Sequence, residues 1–329
     1  MSLDQLIQTE SSPTQRAVLA VLTGLPLTDV ADQYRMDPVI LSDAVVVYDQ
    51  AGREALARNA STTEWWQVYL HFTDWVNADT TFTTYVLPVL QEAQAAGTTS
   101  GWWYTRKHPC WRIRLHVRPA IGTKLALGDR FTRLVNDGHL QRWWPGIYEP
   151  ETAAFGGEAS MTAAHALFVV DSREAQQLPY RSELAVGPRE LSVLLCTIMM
   201  RAAGLEWYEQ GDVWHRVITS EHRSAIDGVP TDRLNSRAQE IRHLLFADTD
   251  ALLRSRGPLE PVAEWVTAFH DTGQALAHAV QAGTLDRGLR QVLSYHMLFH
   301  WNRLGLSMRG QSMLAWAARA ATLHTESAT

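Results

Sequence analysis

Only two cysteines occur in 329 residues, Cys110 and Cys196. They lie far apart in the chain and fit no metal-ligand spacing, which excludes a disulfide framework and points to a reducing compartment. No apolar run reaches membrane-spanning length, and Met1 to Ser12 is polar without a signal-peptide core. A cytoplasmic protein with no membrane partner is expected. The chain also lacks a phosphate-cradling Gly-Lys-Ser/Thr loop, a dinucleotide glycine fingerprint, His-Glu-x-x-His, Cys-x-x-Cys and a Gly-x-Ser-x-Gly elbow. Nucleotide, zinc and serine-hydrolase chemistries are set aside on those grounds. Internal repeats and low-complexity segments are absent as well. A formal net charge of -6 argues against non-specific binding to nucleic acid or an anionic membrane as the main activity.

What is present is a 46% hydrophobic chain able to bury a full core, with 13 tryptophans, many of them paired: Trp65 with Trp66, Trp102 with Trp103, Trp143 with Trp144. Large rigid aromatics suit a peptide-holding groove as well as a core. The organising stretch is GWWYTRKHPCWRIRLHVR, Gly101 to Arg118. From Trp111 it alternates strictly, with Trp111, Ile113, Leu115 and Val117 on one side of an extended strand and Arg112, Arg114, His116 and Arg118 on the other. Like-facing side chains on a strand stand about 6.5 to 7 Å apart. Arg112 and Arg114 can therefore hold one carboxylate between them or contact two groups of one ligand. The alternative is a solvated face, although four cationic or potentially cationic groups without an interleaved carboxylate repel until an anion arrives.

Residues 13–58 read as three short helices, opened by Pro13 and by Asp37-Pro38 and punctuated by Gly24. Their order resembles a helix-turn-helix, but DVADQYRMDP is acidic and lacks the basic patch that DNA binding requires. We expect an accessory subdomain over 1–58, packing on the rest or docking a peptide, and a catalytic body over 59–329. Within that body, residues 64–76 alternate like a strand and 77–96 read as a helix interrupted near Leu87-Pro88. Residues 123–141 form an amphipathic helix, and 142–157 form loop and strand edge. MTAAHALFVVDS is helical, with His165 expected to be a half-buried structural residue. Helix dominates from Gly187 through 235–254, 260–282 and 286–322. His296, His300 and Arg303 recur three and four residues apart and so share a helix face. They form a second place where acid-base chemistry is expected. The fold class is α+β: a mostly antiparallel sheet with packed helices, a helical N-terminal subdomain and a helix-rich C-terminal half.

Five blocks in register, WWYTRKHPCWRIRLHV, RWWPGIYEPETAAFGG, AHALFVVDS, GPRELSVLLCTIMMRAAGLEWYEQGDVWHRVI and FHWNRLGLS, resemble the lantibiotic dehydratase C-terminal domain. The likeness is to its stand-alone form, the thiopeptide-type bacteriocin biosynthesis proteins. That resemblance implies an enzyme acting on the leader and core of a ribosomally made precursor peptide. In one branch a glutamylating partner protein esterifies Ser or Thr, and this domain removes glutamate by β-elimination to leave a dehydroamino acid. In a sister branch the same fold joins two dehydroalanines by a formal [4+2] cycloaddition to form a pyridine. Neither branch needs a metal or organic cofactor.

The strand arginines of the elimination pattern match Arg112 and Arg114, and its loop glutamate matches Glu151. Two positions depart: the family's arginine before the loop aromatic is Ala154 here, and its C-terminal histidine falls on Leu298, with His296 and His300 two residues to either side. The resemblance thus implies Arg112, Arg114 and Glu151 as catalytic, and one of the flanking His296 and His300 is expected to exchange protons beside them in place of the family's histidine. Arg106, His116, Trp143, Trp144, Tyr148 and Arg303 are expected to bind substrate. Elimination is the first expectation and pyridine formation the alternative. A non-catalytic precursor-binding role is the third, and whether the chain dimerises stays open.

Overall fold

The computed structural model describes residues 12–61, 64–117, 121–184, 186–219, 229, 231–248, 252 and 257–323. Arg118 and part of the helix expected over 235–254 lie outside the described residues. The chain divides into two compact units, residues 1–63 and 64–329.

In the first unit, α1 (Pro13–Leu22), α2 (Leu27–Tyr34) and α3 (Pro38–Ser61) enclose a small core of Ala17, Val18, Val30, Ala31 and Leu41. Local chemistry sets the helix starts. The Ser12 hydroxyl accepts from the Gln15 amide, and the Asp37 carboxylate accepts from the Val39 amide just past Pro38, so orphan first-turn donors are satisfied.

The second unit is built on a four-stranded antiparallel sheet of order β2-β3-β1-β4. Its strands are β1 (Glu64–Phe72), β2 (Thr99–Lys107), β3 (Cys110–Val117) and β4 (Leu140–Gly146). The alternating strand is β3, and it is interior, paired with both β1 and β2. Its apolar face, Trp111, Ile113, Leu115 and Val117, joins Val68, Leu70 and Phe72 in a core. That core is closed by α5 (Leu87–Ala95), α6 (Ile121–Asn136) and the wide turn Phe82–Val86. The wide π-type turn sits immediately before Leu87-Pro88, where proline removes a ladder donor. The short α4 (Ala78–Thr81) precedes it.

Two expectations are corrected here. The helix expected over 123–141 ends at Asn136, and the strand edge expected within 142–157 is a full strand that begins earlier, at Leu140; Pro145 is tolerated because β4 lies at the sheet edge, where a missing N–H costs no ladder bond. The first strand stops at Phe72 rather than Val76.

The other sheet edge, β2, is satisfied by side chains. Asn302 exchanges two hydrogen bonds of 2.8 Å with the Arg106 backbone, and the Tyr104 amide donates to the Ser172 hydroxyl at 3.2 Å. These partners come from α7 (Glu158–Gln177) and α12 (Leu289–Arg303). An edge protected in this way cannot recruit a foreign strand.

The remaining helices, α8 (Pro188–Ala202), α9 (Trp207–Thr219), α10 (Thr231–Leu245), α11 (Ala263–Gln281) and α13 (Met308–Leu323), pack with α12 around the fully buried Trp214, Trp265, Trp301 and Phe269. The expected single run 286–322 is two helices, turned at Gly305, whose φ of 69° favours glycine and whose missing Cβ leaves room for the Arg106 guanidinium. No described helix is long and apolar enough to cross a membrane.

Candidate functional site

The polar face of the sheet carries Trp65, Gln67 and Tyr69 from β1, Arg112, Arg114 and His116 from β3, Trp103 and Thr105 from β2, and Arg142 and Trp144 from β4, as the strand register dictates. Arg114 is its centre, and it is 5% exposed. Its Nε donates to the Gln67 side-chain oxygen at 2.8 Å, and its Nη1 donates to Thr105 at 2.7 Å and to the Arg112 carbonyl at 3.2 Å. The guanidinium lies 4.2 Å from the Trp103 ring centroid and 5.6 Å from that of Tyr148. Burial is the main influence that lowers its pKa, to about 10, so the group stays charged at neutral pH. Arg112 is less buried and stands 5.6 Å from the Tyr69 ring, which in turn stacks on Trp144 at 5.1 Å.

This face is roofed by the loop 147–157 and by α7. Phe155 is fully buried among Phe168, His296 and Phe299 and anchors the loop. Gly156 and Gly157, with φ of 85° and 110°, then press against Leu285 and Asp286 and launch α7. Glycine is required at both positions because its φ is positive and a Cβ would collide. The loop brings Tyr148 over Arg114 and leaves Glu151 exposed but within electrostatic reach of both.

On α7, His165 points into the same space. Its Nε2 is 2.8 Å from the Tyr148 hydroxyl, and its ring lies 4.9 Å from Trp65. Burial first, then the neighbouring His116 and Arg114, depress its pKa to about 4, so it is neutral at pH 7. Burial raises the Tyr148 pKa, keeping the phenol protonated. His116 is also lowered by burial and makes a 2.5 Å hydrogen bond through Nδ1 with Ser100.

The expected residues therefore separate into two groups. Arg112, Arg114, His116, Trp144, Tyr148 and Glu151 come together on or above the polar face, though the alternation had placed only the first three of them there. Five others do not. Trp143 has the opposite strand parity from Trp144 and packs into the core below, against Phe131 and Trp66, with its indole N–H on Thr132. Arg106 pairs with Trp111 across β2 and β3 and so lies on the core side, bound to Asp79 and to the Arg303 carbonyl. His296, His300 and Arg303 do share a helix face, but all three are 0% exposed.

His300 and Arg303 surround Asp171, a residue the sequence did not single out. Its carboxylate accepts from His300 Nδ1 at 2.7 Å, Arg303 Nε at 2.5 Å and Trp265 Nε1 at 2.9 Å. Burial alone would raise the Asp171 pKa, but Arg303 and then His300 bring it down to about 2. Removing one partner of such a buried pair costs about 3–5 kcal/mol, so this cluster holds α7, α11 and α12 together. Among the described residues neither ring nitrogen of His296 has a hydrogen-bond partner, and burial lowers its pKa to about 3. Among the described residues no group of His, Cys, Asp and Glu could hold a metal ion.

These depressed histidines have a consequence for stability. With folded pKa values of about 4 for His165 and about 3 for His296, against 6.5 ordinarily, the unfolded chain takes up their protons first as pH falls. Their contribution is complete above pH 6.5 and is lost as pH falls toward 4. The thermal midpoint should drop across that window, and His165→Gln should flatten part of the drop. A His165→Gln profile that tracks the parent throughout would contradict the buried neutral state.

The sequence matches the family "Lantibiotic biosynthesis dehydratase C-term" over residues 65–322. None of the curated protein sequences matches it. Among solved structures, the tRNA dependent lantibiotic dehydratase MibB from Microbispora sp. 107891 is 20% identical with a TM-score of 0.56, over 78% of this chain and 28% of MibB. The chain thus corresponds to little more than a quarter of MibB. TsrL is 16% identical with a TM-score of 0.56, over 79% of this chain and 94% of TsrL. The pyridine synthase TbtD, from thiomuracin biosynthesis, is 16% identical with a TM-score of 0.51, over 78% of this chain and 97% of TbtD. At these identities the likeness establishes the fold.

Proposed function

Because the chain belongs to the lantibiotic biosynthesis dehydratase C-terminal family, we propose that it matures a ribosomally made precursor peptide by joining two dehydroalanines into a six-membered nitrogen ring. The observation that carries this reading is the pairing of neutral His165 with Tyr148 directly above Arg114, while His296 and His300 are sealed away. Glutamate elimination needs a base strong enough for a weakly acidic Cα–H. An imidazole with a pKa of about 4 is poorly matched to that task.

Ring formation asks for less basicity and more positioning. The amide preceding one dehydroalanine shifts its N–H proton to oxygen, giving a hydroxy-imine conjugated with the alkene. The second dehydroalanine adds across this azadiene, two carbon–carbon bonds form, and the hydroxyl on the new ring departs as water. Arg114 faces the amide oxygen as charge gathers there. The Tyr148 oxygen receives the amide proton while passing its own to His165 Nε2, and the pair returns that proton to the amide oxygen, which completes the hydroxy-imine and restores the neutral pair. After the bonds form, the same pair takes a C–H proton of the new ring beside its C=N bond and delivers one to the hydroxyl, so that water leaves. The aromatic walls, Trp65, Trp103 and the Tyr69–Trp144 stack, hold the planar alkenes and exclude water. TbtD, whose name gives the same reaction, superposes along nearly its whole length. The precursor and the enzymes that dehydrate it are the partners this reading requires.

Elimination remains the competing reading because Arg112, Arg114 and Glu151 all stand at the face. Two substrates separate them: a glutamylated precursor and its fully dehydrated linear form, each incubated with the purified protein and followed by mass spectrometry. Ring formation predicts conversion of the dehydrated peptide to a cyclic product lacking at least one water, and no change in the glutamylated one. Loss of glutamate from the latter would overturn the proposal.

A further inference from the structure

Five buried polar atoms on one face of α12 have no hydrogen-bond partner among the described residues: both ring nitrogens of His296, Nε2 of His300, and Nη1 and Nη2 of Arg303. The three side chains are 0% exposed and follow one another at helical spacing, so they line a single stripe. Aromatic rings wall that stripe. Phe155 lies 4.9 Å from the His296 ring, Phe269 lies 4.9 Å from the His300 ring, and the Phe168 ring is 4.5 Å from the Arg303 guanidinium and 6.1 Å from His296. Arg303 and Asp171 both act on the charge of His296, which puts these groups in one electrostatic neighbourhood. Carbon walls offer the five atoms no partner, and folded proteins leave few buried polar atoms unpaired.

We infer that this stripe is an internal hydration site, in which a small cluster of water molecules bridges Arg303, His300 and His296 inside the fold. The hydrogen-bond demand selects the occupant. Arg303 gives its Nε to Asp171 and keeps every N–H of its two terminal nitrogens, which can only donate. His300 directs Nδ1 to the same carboxylate and leaves Nε2 over. The neutral His296 ring presents one N–H and one lone pair. Acceptors and donors are needed together, about seven hydrogen bonds in all, which is the demand of roughly two or three buried waters. A halide ion only accepts. It would also face the Asp171 carboxylate, whose charge Arg303 already balances. A metal cation would be repelled by Arg303, and the described residues supply no set of ligands for one. Water thus completes the charge cluster that joins α7, α11 and α12, whichever reaction the sheet face performs.

A high-resolution crystal structure of the full-length protein, with a parallel bromide soak, tests the site directly. Ordered water should stand about 3 Å from an Arg303 terminal nitrogen and from His300 Nε2. An anomalous bromide peak there, or no density beside these atoms, would overturn the assignment. Thermal melts at pH 7 give a second reading through the sign of the change. His296→Leu takes a partner away from bound water and should lower the midpoint by about 2–4 °C, whereas His296→Gln, which keeps a donor and an acceptor, should stay nearer the parent. A midpoint above the parent in His296→Leu would mean that the imidazole sits dry among carbon, where an apolar side chain fits better, and would sink the hydration site.

Discussion

Replacing Arg114 with alanine is expected to slow ring formation by roughly 30-fold to several thousand-fold, the range that follows from losing a buried charged contact worth about 2–5 kcal/mol in the transition state. Arg114→Lys should be nearly as damaging. The guanidinium is held from two directions, by Gln67 and by Thr105, and lies over the Trp103 ring. An ammonium can reproduce neither the fork nor the stacking. Because the side chain is buried, each variant needs a thermal melt beside the rate; the loss should appear in kcat for protein that remains folded. Arg112, which is less buried and makes fewer contacts, should tolerate alanine better. Parental kcat in Arg114→Lys would remove the guanidinium from the mechanism.

The second large effect concerns the roof. Tyr148→Phe and His165→Gln should each lower kcat by about a hundredfold or more, the ordinary contribution of a positioned proton-transfer group. The double variant should be little worse than either single one, since groups that relay one proton act as a unit. His165→Gln should also leave the rate nearly flat between pH 6 and 8, as in the parent, because His165 is neutral across that range. Additive losses, or a parental rate in Tyr148→Phe, would show that the 2.8 Å contact is structural only.

The cationic strand could be read from the chain because a period of two over Trp111 to Val117 leaves one choice of face. Burial of Arg114 at the sheet centre also followed, since β3 is apolar enough on its other side to be interior. Parity across strands was not legible. Arg106 and Trp143 carry suitable side chains, but which face they share with Arg114 depends on the registers β2–β3 and β1–β4, and no local signal encodes those registers. A strand edge was legible in the block after Arg142, but its start at Leu140 was obscured by the helix expected to run to 141, and its end by Pro145 and Gly146.

His165 was discounted because its neighbours are apolar, which suits a core position as well as a pocket wall. The decisive fact is that α7 lays that stripe against the polar side of the sheet. The C-terminal histidines show the converse. Their spacing put them on one face, and that face turned inward to Asp171, a partner 129 to 132 residues away in the chain. A stripe of His and Arg inside an apolar helix implies a buried counter-charge, but it does not say which acid supplies it.

The central claim is that chemistry takes place on the polar sheet face beneath Tyr148 and His165. A crystal structure of the protein with its cyclic product bound tests it most directly. The account predicts the new ring between Trp103 and the Tyr69–Trp144 stack, with a ring substituent in hydrogen-bonding distance of Arg114 and of the Tyr148 hydroxyl. Product bound elsewhere, with Arg114 and Tyr148 making no contact to it, would contradict the account.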